Sequence, residues 1–80
     1  MKVQVLLFAG LRDRAERAQL ELDRLEPGVS VREVIGQLEG RWPFLRGYPF
    51  RVARNCEFVE ESQILEDGDE LALLPPVSGG

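Results

Sequence analysis

Histidine is absent from this 80-residue chain, lysine occurs once, as Lys2, and cysteine once, as Cys56. Each shortage excludes a chemistry. Without histidine there is no Ser-His-Asp device, and the commonest general base and metal ligand is missing. One cysteine builds neither an intramolecular disulfide nor a zinc site of several thiolates. A single lysine, with no Gly-x-x-x-x-Gly-Lys-Ser/Thr stretch, argues that the chain does not bind and split ATP by itself. No apolar run approaches the roughly 20 residues of a membrane span, and no basic-then-apolar leader opens the chain. The expected setting is therefore the cytoplasm, away from membranes.

What remains suits one small domain. A chain this short buries only about two thirds of its unfolded surface, so its stability depends on an efficient core. With 44% apolar and 30% charged residues, both a core and a polar surface are available. The formal charge of −4 hides a split. Arg41 to Arg54 holds four arginines and no acid, while Glu57 to Glu70 holds seven acids and no base. Such a split is more often a solvated face than a site, although the acids offer steering onto a basic partner surface. Nucleic acid is not an expected partner, because the basic stretch is short and the overall charge repels phosphates.

Hydrophobic patterning predicts the order β-β-α-β-β. Lys2 to Phe8 is nearly continuously apolar, as a central strand is. Gly10 to Ala18 is charged and suits a short helix. Leu20, Leu22 and Leu25 alternate with acids as a half-exposed second strand, and Glu26-Pro27-Gly28 is a turn. Ser30 then opens the main helix, with Glu33 in capping-box spacing and Val29 and Val34 as a hydrophobic staple. Val31, Val34, Ile35 and Leu38 share one helical face, and Gly40 with Pro43 is expected to close the helix. The aromatic stretch Arg41 to Phe50 is irregular and should pack over the open end of the core. Short strands are expected at Val52 to Asn55 and around Phe58 and Val59, then a 3₁₀ turn at Gln63 to Leu65. The turn Glu66-Asp67-Gly68-Asp69 feeds the last strand, Glu70 to Leu74, in which Leu71 and Leu73 share a face. Apolar first and last strands imply that both lie mid-sheet, side by side. That is the α+β β-grasp, or ubiquitin-like, arrangement: a mixed sheet packed on one main helix. Residues 1–74 are expected to form the domain and residues 75–80 an extended tail.

The side chains offer little reactivity. Cys56 is expected to be a small hydrophobe half inside a strand, and Glu57 beside it disfavours a thiolate. The ending Pro75-Pro76-Val77-Ser78-Gly79-Gly80 is different. Two prolines fix φ and withhold N–H groups, so the strand must stop and the chain leave extended. Two residues without a Cβ follow, then a carboxylate ionised at neutral pH. Six residues reach about 20 Å. Such a tip can thread a narrow channel in another protein, and its carboxylate becomes reactive once converted to a mixed anhydride.

Leu7-Phe8-Ala9 with Arg12, Asp67-Gly68-Asp69-Glu70 and Leu74-Pro75-Pro76-Val77-Ser78-Gly79-Gly80 together resemble the MoaD family, the sulfur-carrying small subunits of molybdopterin synthase. The resemblance implies a β-grasp fold and no permanently bound cofactor. It implies that Gly80 is adenylated by an E1-like, MoeB-like enzyme using ATP and converted to a thiocarboxylate. The tail then enters the large, MoaE-like subunit, usually in a heterotetramer, and sulfur passes to cyclic pyranopterin monophosphate. Gly79, Ser78, Val77, Pro76, Pro75 and Leu74 would line the partner channel, with Phe8 and Arg12 as further contacts. Leu73 and Leu74 stand where many members carry aromatics, and Asn55 is the match to an asparagine-containing family strand. Two alternatives share the Gly-Gly ending: a thiamine-pathway sulfur carrier, which generally lacks Pro-Pro-Val, and a ubiquitin-like protein modifier.

Overall fold

The computed structural model describes residues 1–76; Val77, Ser78, Gly79 and Gly80 lie outside the described residues. Five strands form one mixed sheet: β1 (Val3–Leu7), β2 (Gln19–Leu22), β3 (Arg51–Arg54), β4 (Glu57–Phe58) and β5 (Glu70–Leu74), in the order β2-β1-β5-β3-β4. The expected neighbours β1 and β5 are central and parallel, with Val5 beside Leu71 and Leu7 beside Leu73. The other pairings are antiparallel. This is the β-grasp arrangement that the two apolar strands pointed to.

Period-2 alternation decides which face of the sheet is covered. Val3, Val5 and Leu7 of β1 and Leu71 and Leu73 of β5 are buried. They form one core with Val31, Val34, Ile35 and Leu38 of helix α2 (Val31–Arg41). The Ser30 hydroxyl accepts from the Glu33 N–H at 3.3 Å, as the cap spacing predicted. The Glu33 carboxylate accepts from that hydroxyl. The next orphan donors, Val31 and Arg32 N–H, are satisfied by the Gln63 and Glu61 carbonyls, both at 2.9 Å. The segment expected as a 3₁₀ turn at Gln63 to Leu65 is thus extended, bridging Ser30 to Ile64, because it caps the helix.

Other boundaries moved for local reasons. The first helix, α1 (Ala9–Ala15), stops at Glu16, which takes a left-handed φ of 57°. Gly40 lies inside α2, which ends at Trp42 as Pro43 begins a 3₁₀ turn (Pro43–Gly47) within the stretch expected to be irregular. Trp42, Phe44, Tyr48 and Phe50 pack partly buried against the core, as expected. Asn55 and Cys56 are not strand residues. They form the two-residue β3–β4 hairpin loop with φ of 47° and 75°, the positive pair of a type I′ turn. Cys56 is consequently exposed rather than half-buried.

Candidate functional site

The candidate region assembles where the parallel strands β1 and β5 end. Leu74, the last residue of β5, lies opposite Arg51 of β3. On its other side the Phe8 N–H donates to the Leu73 carbonyl at 3.3 Å, extending the β1 ladder past Leu7. Phe8 and Arg51 therefore flank the root of the tail. Phe8 stays exposed, because Ala9 takes a positive φ of 52° and turns the chain straight into α1. Arg12 stands exposed one turn along that helix. Pro75 and Pro76 follow Leu74 as exposed residues outside the sheet. The expected channel residues Val77, Ser78 and Gly79, and the expected carrier residue Gly80, lie outside the described residues.

Register shows what surrounds this root. Leu71 and Leu73 face α2, so Ala72 and Leu74 face away from it. Leu6, Ala72, Ala53 and Phe58 pair in turn across four strands, forming one apolar row on the face that no helix covers. Phe58 is 49% exposed, and the Arg51 guanidinium lies 3.9 Å over its ring. Arg51 thus connects the Leu74 position to the Phe58 ring, its guanidinium stacked on the aromatic face. The result is an apolar strip around the tail root, with Phe8 and Phe58 exposed, Leu6, Ala72 and Leu74 half-buried and Ala53 buried, and it is the candidate protein-binding surface. Sequence reasoning found Phe8 and Leu74 but missed Leu6, Ala72 and Phe58. Alternation in β1 and β5 could have placed Leu6 and Ala72 on this face. A two-residue β4 carries no period from which to place Phe58.

Ionisable groups gather elsewhere. Asp69, at the far end of β5, accepts from Arg54 Nε at 2.7 Å, Asn55 Nδ2 at 3.0 Å and the Glu66 N–H at 2.7 Å. Burial would raise its pKa, but these donors outweigh burial and hold the carboxyl below its ordinary range. The Asn55 side chain also accepts from the Glu70 N–H at 2.9 Å, so this asparagine ties the hairpin loop to β5. The cluster is a structural clasp. Among the described residues no group of three His, Cys, Asp or Glu side chains is placed to hold a metal ion. A shallow concavity of about 550 Å³ opens beside the 3₁₀ turn, floored by Ile35, Leu45, Val52 and Val59 and rimmed by Arg46 and Glu60. Tyr48 and Phe50 line it as well as packing on the core. Among the described residues no helix is long and apolar enough to cross a membrane.

Comparison with known proteins extends the geometry. The family model described as the ThiS family matches residues 5–80. The molybdopterin synthase sulfur carrier subunit of Mycobacterium tuberculosis is 35% identical, with 100% of this chain and 99% of that protein covered. Among solved structures, the putative molybdopterin converting factor subunit 1 of Pyrococcus furiosus superposes with a TM-score of 0.88 at 28% identity, covering 96% and 99% of the two chains. SAMP1 of Haloferax volcanii, a small archaeal modifier protein, superposes with a TM-score of 0.84 at 31% identity over 100% of both chains.

Proposed function

Since the chain belongs to the ThiS family, we propose that it is the sulfur-carrying small subunit of a molybdopterin synthase. The observation that carries this is the apolar strip of Leu6, Phe8, Ala72, Leu74 and Phe58 around the point where a Pro-Pro-Val-Ser-Gly-Gly segment leaves the central strand. Likeness to a named molybdopterin synthase sulfur carrier along the whole chain supports the same reading.

The chemistry belongs to main-chain atoms. An E1-like, MoeB-like partner uses ATP to convert the Gly80 carboxylate into an acyl adenylate, releasing pyrophosphate. Sulfide-level sulfur (HS⁻) attacks the acyl carbon, the bond to AMP breaks, and loss of the proton leaves a thiocarboxylate. The strip docks on the large, MoaE-like subunit, Gly79 and Ser78 thread its channel, and the terminal sulfur passes to cyclic pyranopterin monophosphate. The globule contributes positioning, and the large subunit contributes the catalytic side chains.

Intact mass after co-expression with the activating enzyme tests the reading, with one oxygen exchanged for sulfur at the terminus expected. Deleting Gly80 should leave folding intact and abolish molybdopterin synthesis; synthesis by the truncated chain would exclude the carrier role.

Likeness to a small archaeal modifier protein favours a second reading, conjugation to other proteins. Covalent ladders formed by the activated chain in extract would establish it. Pro75 and Pro76 argue against the thiamine pathway, and the partner that co-purifies discriminates between the two pathways.

A further inference from the structure

Because β1 and β5 are parallel, the sheet has two chemically distinct ends. Where these strands begin, the acidic turn is fastened to the chain start: the Lys2 N–H donates to Asp67 at 2.6 Å and the Gly68 N–H to the Lys2 carbonyl at 2.8 Å. Glu66, Asp69, Glu70 and Glu57 gather at the same end. Arg54, the arginine nearest them, is occupied by Asp69 and by Glu66 at 3.7 Å. Where the strands end and the tail leaves, the balance reverses. Arg51 lies beside Leu74, Arg12 and Arg14 belong to α1 and Arg17 follows it, Arg46 lies within the 3₁₀ turn and Arg41 closes α2 just before it. All six are exposed, against five carboxylates of that region, Asp13, Glu16, Glu39, Glu60 and Glu61. The Arg14 guanidinium lies 4.6 Å over the Phe44 ring, which joins the α1 charges and the turn charges into one surface.

Five acids of the run, Glu57, Glu66, Asp67, Asp69 and Glu70, therefore lie at the end opposite the tail, and steering by them does not favour a tail-first encounter. Four residue steps separate Glu70 from Leu74, about 13 Å along a strand. That exceeds the Debye length of about 8 Å at physiological salt, so a surface touching Leu74 feels Arg51 beside it much more than the acids where β5 begins.

We propose that the partner surface rimming the channel for the tail is acidic, and that the chain's charge asymmetry turns it tail-first as the two approach. This rests on the carrier reading above. An acidic rim repels the chain's overall negative charge at long range and attracts only its tail end at short range, so orientation is selected before contact.

The test is the association rate of the chain with its molybdopterin synthase large subunit, measured by stopped flow at about 50 mM and about 300 mM salt. The rate should fall at least about threefold at the higher salt. Arg12→Glu combined with Arg17→Glu should slow association at low salt and remove its salt dependence, with an unchanged melting temperature. Glu57→Gln combined with Glu70→Gln, at the far end, should change the rate by less than the arginine reversals do. A rate that is insensitive to salt or rises with it overturns the proposal, as does faster association after the arginine reversals. Salt dependence of the unmodified chain decides the matter even if a variant folds poorly. Absence of any complex removes the carrier reading together with this one; a complex with salt-insensitive association removes this one alone.

Discussion

The hydroxyl of Tyr48 occupies the space that a Cβ on Gly10 would need, leaving no room for a methyl group there. The ring cannot simply swing aside, because it meets Phe44 edge-on at 5.8 Å and lies under Arg14. Two effects oppose each other in Gly10→Ala. Helix propensity favours alanine by about 1 kcal/mol, while overpacking costs about 1–3 kcal/mol. Collision should win, giving net destabilisation of about 1 kcal/mol. Tyr48→Phe removes the offending oxygen and leaves only the ring carbon, 3.4 Å from the new methyl. Denaturant melts of both single variants and the double variant should therefore show coupling, the phenylalanine restoring most of the loss. Strictly additive effects would contradict the packing account.

Asp69 makes stability depend on acid. Its pKa is depressed on folding despite burial, so its contribution is present above the unfolded value of about 3.9 and is lost as pH falls through the lower folded value. Asp69→Ala should cost about 3 kcal/mol at neutral pH, since it strands three donors. Between about pH 5 and about pH 2 the urea midpoint of the unaltered chain should drop more steeply than that of the variant. Parallel pH profiles would mean that the clasp is not the acid-sensitive element.

Cys56 occupies the second centre of a type I′ turn at a φ of 75°, where a side chain is strained and glycine is not. Cys56→Gly should therefore stabilise the protein, by up to about 1 kcal/mol. Sulfur transfer should be unaffected, since the loop lies at the far end of β3 from Leu74. Thermal melts and a turnover assay check the two halves separately, and a lowered melting temperature would refute the turn assignment.

Phe8 is 39% exposed at the tail root and outside the buried core. Phe8→Asp should shift the melting point little, within about 0.5 kcal/mol. Affinity for the large subunit should drop by about tenfold or more, as for a central apolar contact made charged. Calorimetric titration reads the outcome, and unchanged affinity would move the docking surface elsewhere.

The sequence made some of this visible and hid the rest for physical reasons. Ser30 with Glu33, and the spacing of Val31, Val34, Ile35 and Leu38, carry local signals that hold whatever surrounds them, and α2 formed where they placed it. Apolar continuity in Val3–Leu7 and alternation in Glu70–Leu74 located the central strands. Asn55-Cys56 misled because a type I′ loop announces itself by glycine, and cysteine stands in its place. The fit of Tyr48 to Gly10 joins residues distant in sequence, so no local pattern encodes it. Leu6, Ala72 and Phe58 form a patch only once register is known, and register is a property of paired strands.

The position of β5, parallel to β1 and antiparallel to β3, also has a consequence for synthesis. Until residues 70–74 have been translated the nascent sheet lacks its middle strand, and β1 and β3 have nothing between them to bind. The ribosome must therefore make β5 before the fold can close. A messenger truncated short of β5 would yield no partly working copy, only a chain for the proteases.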